Sequence, residues 1–495
     1  MKGNLLLFLP FVLPIISGLI IGLNKAMEDK KKRDCLTAIT LGINLLVAVI
    51  ICFQKENELV LWQLTQSLSV HFKLDELGKI FILLVNFMWL ACGIYAFEYM
   101  KHEQKNPRYF AFYLASLGVL NAICLAGNLM TLYMFYEAMT LLTLPLVLHT
   151  MKKEAVAAGI KYLVYSVFGA SFGLLGMFFL YHYCGHLDFI PGGSLIMEKV
   201  QGNETFLLTI VFLAIVGFST KAGMFPLHGW LPSAHPVAPA PASAVLSGVI
   251  TKMGVLGVIR VVFYMVGTDF LIGTWVQTTW STLALITVFM GSMLAFQEKG
   301  FKKRLAYSTV SQVSYILFGL STMTVYGFVG ALLHIIVHSA IKNTLFMSAG
   351  TVIYKTGKTR VSDLLGMGKF LPYTFIAFTI VSLGLIGIPP TGGFVSKWYL
   401  ANGSLQVATQ YGWVGPAVLL ISAILTAAYL LSITIHAFFQ PKEEQASEAL
   451  EAQTPNHANA LMLTPMYVLC FVTLFVGMFP SVLLPFFEKI AQLLM

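Results

Sequence analysis

Long apolar stretches, separated by short polar loops, run along most of the chain. Each stretch approaches the roughly 20 residues that a helix needs to cross a bilayer. Fourteen such spans are predicted, and an even number places both termini on one side of the membrane. The predicted spans are 4–23, 35–53, 78–100, 108–127, 129–150, 156–184, 205–225, 240–266, 271–296, 304–322, 326–354, 370–400, 414–439 and 461–487.

Two of these spans are interrupted by glycine and proline. Helix seven runs into a Gly-Met-Phe-Pro sequence at 223–226, and helix twelve contains Gly-Ile-Pro-Pro at 387–390. Proline removes a backbone donor and glycine unwinds cheaply, so both helices are predicted to break at membrane depth. Unpaired backbone at that depth is tolerated only where protein or water surrounds it.

Matching breaks in two halves of a membrane protein indicate internal repeats. Helices four to eight and nine to thirteen are predicted to form two five-helix units, and an odd helix number inverts the second unit. The predicted division is 1–107 for helices one to three, 108–266 for the first repeat, 267–439 for the second, and 440–495 for an inner loop with helix fourteen.

The composition agrees with an all-α polytopic membrane protein. Hydrophobic residues make up 57% of the chain and charged residues 11%, with a mean hydropathy of +0.79; soluble domains carry about 25% charged residues. The first apolar stretch runs into a Lys-rich loop without a small-residue cleavage site. We therefore interpret it as a retained helix and not as a signal peptide.

Basic residues are distributed unevenly between the two sides of the membrane. With the termini outside, the inner loops hold nineteen Lys or Arg residues, the outer segments hold six, and six lie within spans. This positive-inside bias predicts a cell-membrane protein with both termini on the outer side. The formal charge of +9 is thereby explained without nucleic acid.

Two loop segments have their own character. The polar 440–460 loop is predicted to be a solvated connector on the inner side. Segment 57–77 mixes apolar and polar residues and is predicted to be a short interfacial element on the outer side. The pattern does not choose between a helix and a hairpin for it.

No cofactor motif is apparent in the sequence. The six cysteines are dispersed without a C-x-x-C pair, and the eleven histidines show no H-E-x-x-H spacing. No Gly-rich phosphate loop follows a strand. We therefore expect no cofactor in this chain, so that any driving reaction lies in its partners.

Charged residues nevertheless occur inside the predicted spans. A charge at the centre of a membrane helix costs roughly 2.5 to 3.5 kcal/mol even on the lenient insertion scale, so such residues usually have a function. One carboxylate, Glu137, lies comparably deep. The basic residues within spans are Lys161, Lys221, Lys252, Arg260, Lys342 and Lys397.

Glu137 and Lys221 are predicted to work as a pair. Burial disfavours the charged form of a lysine and a nearby carboxylate favours it, so a lysine with a movable glutamate partner can take and lose a proton. For Glu137 the alternative is a structural ion pair between two helices. For Lys221 the alternative is snorkelling from the broken end of its helix.

A polar stripe follows helix eleven. His334, His338 and Lys342 are spaced at i, i+4 and i+8, which places three titratable groups on one face. Histidine passes protons near neutral pH, and this stripe favours a relay over a structural role. Lys252, in the middle of helix eight, is predicted to connect the first half to the stripe.

The two remaining basic residues within spans are weaker candidates for proton transfer. Arg260 is interpreted as structural because arginine does not deprotonate. Lys161 lies only five residues into its span and is able to snorkel inward.

The sequence from Lys221 to His235, which reads Lys-Ala-Gly-Met-Phe-Pro-Leu-His-Gly-Trp-Leu-Pro-Ser-Ala-His, resembles the antiporter-like membrane subunits of respiratory complex I. The same superfamily includes Mrp cation/proton antiporters and membrane-bound energy-converting hydrogenases. The resemblance covers roughly residues 75–440. Further matches are Glu137 within Tyr-Glu-Ala-Met, Ser247-Gly248 through Lys252-Met253-Gly254, the Lys303–Ser308 sequence, His338 to Lys342, and Gly387 to Lys397.

This resemblance implies roles for the charged residues. Glu137 and Lys221 would form the coupling pair of a first half-channel, and Lys397 would end a second half-channel. The central connection would consist of Lys252, His334 and His338. The family fold of fourteen helices with two inverted five-helix repeats agrees with the helix count made above.

Some positions depart from the family pattern. Helix ten has Gln312 where many members have histidine, and a glutamine side chain does not titrate. Lys397 stands where some members have glutamate, so it does not identify the subunit.

The leading functional hypothesis is a proton-translocating, alternatively Na⁺-linked, subunit of a redox-driven complex such as complex I or a membrane-bound hydrogenase. Its expected partners are other membrane subunits, including related antiporter-like ones, and a redox module. The main alternative is a subunit of an Mrp-type Na⁺/H⁺ antiporter. A stand-alone solute transporter and an inert scaffold are further alternatives.

Overall fold

In the described residues, fourteen helices, two of them broken, form the body of the protein, and eleven helical segments are long and apolar enough to cross a membrane. A computed structural model describes residues 2–54, 57–65, 68–407, 411–439 and 458–495, and the structural statements below concern these residues. The predicted all-α polytopic architecture is confirmed, and so are the breaks in helices seven and twelve.

The helix bounds follow most of the predicted spans, but the predicted span 461–487 is divided, because helix fourteen ends at Met478 and a separate terminal helix begins at Leu484. Helices one to six are Leu5–Leu23, Lys30–Cys52, Glu76–Tyr99, Asn106–Cys124, Leu129–Val147 and Lys153–Cys184. Helix seven consists of Glu204–Ala222 and Leu231–Val237, and helix twelve of Pro372–Ile386 and Gly392–Leu405. The others are Ala240–Val266, Trp275–Gln297, Phe301–Ser321, Val325–Thr356, Tyr411–Phe438 and Ala460–Met478, followed by a terminal helix, Leu484–Leu494.

Glycine ends the first half of each broken helix. Gly223 has φ +82° and Gly387 has φ +95°, both in the left-handed region that only glycine adopts at low cost. A proline follows three residues after each glycine and prevents the helix from continuing. The breaks therefore follow directly from the sequence.

Several helices begin at a side-chain cap. The Asp29 carboxylate accepts hydrogen bonds from the backbone N–H groups of the first turn of helix two. Asn128 and Thr324 do the same for helices five and eleven. Each cap satisfies backbone donors that have no partner within the helix.

Helix eight lies at the centre of the protein and is buried along its whole length. Helix eleven packs beside it and is buried over most of its length. The outer helices expose large apolar side chains such as Ile43, Val164 and Leu420. Exposed apolar side chains on these helices suit contact with lipid.

Within segment 57–77, two described strands pair antiparallel, as in a hairpin. Strands β1 (Lys2–Gly3), β2 (Glu58–Thr65) and β3 (Leu68–Lys73) form an antiparallel sheet in the order β1-β2-β3. Phe72 on β3 packs against Phe11 and Phe135, which attaches the sheet to helices one and five. The predicted 440–460 connector lies almost entirely outside the described residues.

Candidate functional site

Lys221 lies in the last turn of the first half of helix seven and is 1% exposed. Its Nζ donates to the Tyr162 hydroxyl at 2.9 Å and to Ser166 Oγ at 2.6 Å, both on helix six. It also sits 4.2 Å from the centre of the Tyr162 ring. Two hydroxyl groups and the rings of Tyr162 and Trp230 therefore surround this lysine, and no carboxylate of the described residues forms an ion pair with it.

Close packing between helices seven and eight surrounds Lys221 on its other side. A Cβ at Gly254 would lie 2.6 Å from the Phe218 carbonyl oxygen and 2.9 Å from Lys221 Cβ. Only glycine permits this approach. Helix eight thus passes directly behind the lysine.

Glu137 is half-buried on helix five and forms no ion pair with Lys221 in the described structure. It borders an apolar cavity of about 520 Å³ lined by side chains such as Met130, Leu174 and Phe178. Its Oε1 atom has no hydrogen-bond partner in the described part of the protein. The predicted pair is therefore not in contact in this conformation.

Lys252 follows a widened turn in helix eight. Residues Leu246–Ile250 form a π-helix, a feature that often occurs at functional sites. Lys252 Nζ donates to the Ser247 carbonyl oxygen at 2.7 Å and lies 2.7 Å from His338 Nδ1. The predicted connection between helices eight and eleven is thus a direct hydrogen bond.

The contacts continue from His338 toward helix twelve. The rings of His338 and His334 stack with centroids 5.8 Å apart. His334 Nδ1 lies 2.9 Å from Ser396 Oγ, which directly precedes Lys397 in the sequence. Lys252, His338, His334 and Ser396 therefore form one row of contacts. The Tyr315 ring stacks on His334 with centroids 5.6 Å apart and lies 5.0 Å from Lys397 Nζ, which extends the row to Lys397.

Lys397 occupies the break in helix twelve. Its Nζ donates to the Leu385 and Ile386 carbonyl oxygens at 2.6 and 2.9 Å. These carbonyls belong to the last turn before Gly387 and lack partners within the helix. A cation is favoured there because the helix C-terminus carries negative partial charge.

Lys342 turns away from this row. It donates to the Leu305 carbonyl oxygen at 3.0 Å and to the Ser308 hydroxyl, both on helix ten. The structure therefore brings the two histidines together and gives Lys342 a separate environment nearer the end of helix eleven that we predict to face inward.

The other intramembrane cations have distinct surroundings. Arg260 makes a bidentate ion pair with Asp75, with Nη2 2.9 Å from Oδ1, and packs over Phe189 and Tyr264. This geometry fits the predicted structural role. Lys161 is exposed on helix six and lies 5.9 Å from the Tyr165 ring.

Several buried polar atoms on helices seven, ten and eleven have no partner in the described part of the protein. Buried polar atoms are normally satisfied by protein or ordered water, so the gaps between the titratable groups suit water. These atoms are Ser219 Oγ, both amide atoms of Gln312 and Asn343, Ser314 Oγ, and the Nε2 atoms of His334 and His338.

Sequence reasoning missed Tyr162, Ser166, Ser396 and Asp75. Tyr162 and Ser166 are spaced at i, i+4 on an apolar helix, the same signal that identifies the histidine stripe. Asp75 caps helix three and meets Arg260 across 185 positions, a pairing that no local pattern indicates. Among the described residues, no group of three His, Cys, Asp or Glu side chains is arranged to hold a metal ion.

Two family models match the chain. One, described as "NADH:quinone oxidoreductase/Mrp antiporter, TM", matches residues 126–426, more than half of the sequence. The other, described as "NADH-Ubiquinone oxidoreductase (complex I), chain 5 N-terminus", matches residues 62–110. The first match contains every predicted site residue, from Glu137 to Lys397.

Three relatives come from different complexes. The N subunit of NADH-quinone oxidoreductase from Desulforudis audaxviator is 34% identical, covering 83% of this chain and 82% of that protein. Hydrogenase-4 component B of Escherichia coli is 30% identical, covering 80% of this chain and 61% of the relative. A Na(+)/H(+) antiporter subunit of Alkalihalophilus pseudofirmus is 28% identical, covering 81% of this chain and 79% of that protein.

Solved structures share the fold. A chain of the archaeal membrane-bound sulfane sulfur reductase superimposes with a TM-score of 0.88 at 22% identity, covering 99% of this chain and 98% of that one. A chain of the Mrp complex from Dietzia gives a TM-score of 0.85 at 21% identity, covering 99% and 97%.

Proposed function

Because the chain belongs to the family of NADH:quinone oxidoreductase and Mrp antiporter membrane subunits, we propose that it carries protons across the membrane within a larger redox-driven complex. The observation that carries this proposal is the row of contacts from Lys252 through His338 and His334 to Ser396, and from His334 over the Tyr315 ring to Lys397. Every member is titratable or bears a hydroxyl group. No carboxylate forms an ion pair with Lys252 or Lys397 in the described structure. No fixed negative charge therefore stabilises the protonated form of either lysine.

The first half of the path is Glu137 with Lys221. Approach of the Glu137 carboxylate would favour the ammonium form of Lys221, and its retreat would favour release of the proton. In the present conformation Tyr162 and Ser166 hold Lys221 and the two groups are apart. Moving one charge across 100 mV takes about 2.3 kcal/mol, which is within the range that a carboxylate near a buried lysine supplies.

The second half of the path runs from Lys252 to Lys397. Lys252 and His338 share one hydrogen bond, and neutral histidine has both a donor and an acceptor with which to pass a proton on. Water at the unpartnered Nε2 atoms of His338 and His334 would connect the two rings. Lys342, which contacts helix ten, would hold a proton on a branch beside this path.

Partners and location follow from the same assignment. Other membrane subunits, including related antiporter-like ones, and a redox module complete the complex, and this chain itself carries no cofactor. The protein lies in the cell membrane with both termini outside. Residues 108–266 and 267–439 form the two inverted repeats, each with its own half-channel.

A subunit of an Mrp-type Na⁺/H⁺ antiporter is the second candidate function. The match to the Alkalihalophilus Na(+)/H(+) antiporter protein over 79% of its length favours it. The same row of groups would then return protons in exchange for Na⁺, without electron transfer.

The test is formation of a pH gradient in inverted membrane vesicles that contain the whole native complex. Wild type and Lys221→Ala are compared with and without an electron donor and with and without Na⁺. We expect donor-dependent acidification that the variant loses while the complex still assembles. Full pumping by Lys221→Ala would contradict the proposed path, and Na⁺-triggered proton movement without a donor would favour the antiporter.

A further inference from the structure

A basic cleft lies where the loop before helix ten meets the end of helix eleven. Its volume is about 520 Å³. It opens on the side of the membrane that we propose to be cytoplasmic. Its charged lining consists of Lys299, Lys302, Lys303, Arg360 and one acid, Glu298.

Backbone hydrogen bonds fix the walls of the cleft. The Phe301 N–H donates to the Thr359 carbonyl at 2.8 Å, and the Val361 N–H donates to the Lys299 carbonyl at 3.0 Å. Gly300 and Arg360 also form an antiparallel bridge. These bonds join the loop before helix ten to the loop after helix eleven. The shape of the cleft is therefore fixed by the backbone.

The charges in the cleft are not balanced. Glu298 pairs with Lys303 at 2.8 Å, and the other three cations form no ion pair among the described residues. Lys302 is 7% exposed and donates to the backbone carbonyls of Pro236 and Ala238 at the cleft floor. Lys299 and Arg360 are exposed, and neither side chain has a partner among the described residues. The positive-inside rule explains basic loops but not their gathering around a concave site.

An apolar strip on helix nine leads away from the cleft. Ile286, Phe289 and Phe296 are 43%, 44% and 49% exposed and lie on one face of the helix. Ten residues separate the first from the last, about 15 Å along the axis. That length is half of the roughly 30 Å hydrocarbon core, the depth of one leaflet.

We propose that this cleft binds the phosphate headgroup of an anionic phospholipid, whose acyl chains lie along the helix-nine strip. Basic pockets at the cytoplasmic ends of membrane helices suit anionic headgroups. The net positive lining matches the phosphate charge, and the adjoining strip distinguishes a lipid from a free ion. Lipid binding here is independent of proton translocation and depends on the proposed orientation only for the choice of leaflet.

The test uses a photoactivatable phosphatidylglycerol added to the purified native complex, with crosslinks mapped by mass spectrometry. We expect crosslinks within residues 286–303. The variant Lys299→Gln/Arg360→Gln removes two exposed cations and should weaken binding about thirtyfold, since each basic residue near an anionic surface contributes roughly fivefold. The matched control is Lys31→Gln/Lys32→Gln, which removes two exposed lysines at the start of helix two and should change nothing.

Competition separates the possible ligands. Unlabelled phosphatidylglycerol should displace the probe, whereas phosphatidylcholine and inorganic phosphate should not. Equal crosslinking in the Lys299→Gln/Arg360→Gln variant, or displacement by phosphatidylcholine, would overturn the proposal. Displacement by inorganic phosphate alone would also overturn it, because the cleft would then select a free phosphate ion.

Discussion

Lys252 Nζ and His338 Nδ1 lie 2.7 Å apart, and both side chains are fully buried. When the lysine donates, His338 Nδ1 accepts, so a neutral His338 carries its own proton on Nε2. Two positive charges at this distance would repel strongly where water is excluded. The pair is therefore suited to share one transferable proton between helices eight and eleven.

Lys252→Arg should stop proton transfer and leave the charge in place. Arginine keeps a positive donor at this position but does not release its proton. We expect a pumping rate lower by roughly a hundredfold or more, the size of a lost proton donor, with normal assembly. The measurement is the initial rate of acidification in inverted vesicles.

The reciprocal exchange, Arg260→Lys, is the matched control on the same helix. It retains a cation for Asp75 and loses only the bidentate geometry. Pumping should survive this change while thermal stability falls. If Lys252→Arg pumps as well as Arg260→Lys, a proton shared between Lys252 and His338 is not required.

Much of this arrangement can be predicted from the sequence. Apolar length gives the helices, and Gly223 and Gly387 with their following prolines give the breaks. What cannot be predicted is which side chains meet, because that depends on helix packing. Lys221 contacts Tyr162 and Ser166 and not Glu137, a choice that no local pattern in the sequence makes.

The sequence does not determine whether segment 57–77 forms strands or a helix, and the reason is different. Leu59 and Leu61 alternate as in a strand, but a short mixed segment also suits an interfacial helix. Its pairing with Lys2 and Gly3, far away in the sequence, completes the sheet. Only long-range contacts distinguish the two.

Tyr162→Phe should impair the first half of the path. The substitution removes the hydroxyl that accepts from Lys221 at 2.9 Å and leaves Ser166 in place. A hydrogen bond to a charged group is worth roughly 1.5 to 3 kcal/mol, so we expect about a tenfold fall in the pumping rate. The measurement is donor-dependent acidification at several pH values.

Tyr165→Phe is the control for this change. Tyr165 lies on the same helix, is half-buried, and faces Lys161 instead of Lys221. It should pump like wild type. Equal rates for both variants would show that the Tyr162 hydroxyl does not position Lys221.

Asp75→Asn should destabilise the C-terminal end of helix eight. Asparagine still caps helix three at Gly78, but it leaves Arg260 buried without a counter-charge. Removing one partner of a buried ion pair costs about 3 to 5 kcal/mol. We expect a clear loss of thermal stability in detergent, measured by the unfolding midpoint of the purified complex.

A double variant separates charge from packing at this site. Asp75→Asn/Arg260→Met removes both charges and should recover much of the lost stability, because well-packed apolar side chains replace buried ion pairs at little cost. If the double variant is no more stable than Asp75→Asn, the ion pair is not what holds these helices together.

His149 should make the loop between helices five and six sensitive to acid. It is 3% exposed, neither ring nitrogen has a partner in the described part of the protein, and it packs edge-on against Tyr109. Burial, together with the positive charge of Arg108, lowers the pKa of His149 to about 4 from 6.5. The neutral form therefore belongs to the folded state, and the unfolded state takes up a proton first as the pH falls.

The contribution of neutral His149 to the free energy of unfolding is fully present above pH 6.5 and is lost as the pH falls toward 4. The complete loss amounts to roughly 3 kcal/mol. The variant His149→Phe keeps an aromatic ring and removes the titratable group. Its unfolding midpoint should therefore fall less than that of wild type between pH 7.5 and pH 5. His182→Phe, which replaces an exposed histidine, should behave like wild type. An identical acid response in wild type and His149→Phe would mean that protonation of this buried ring does not destabilise the loop.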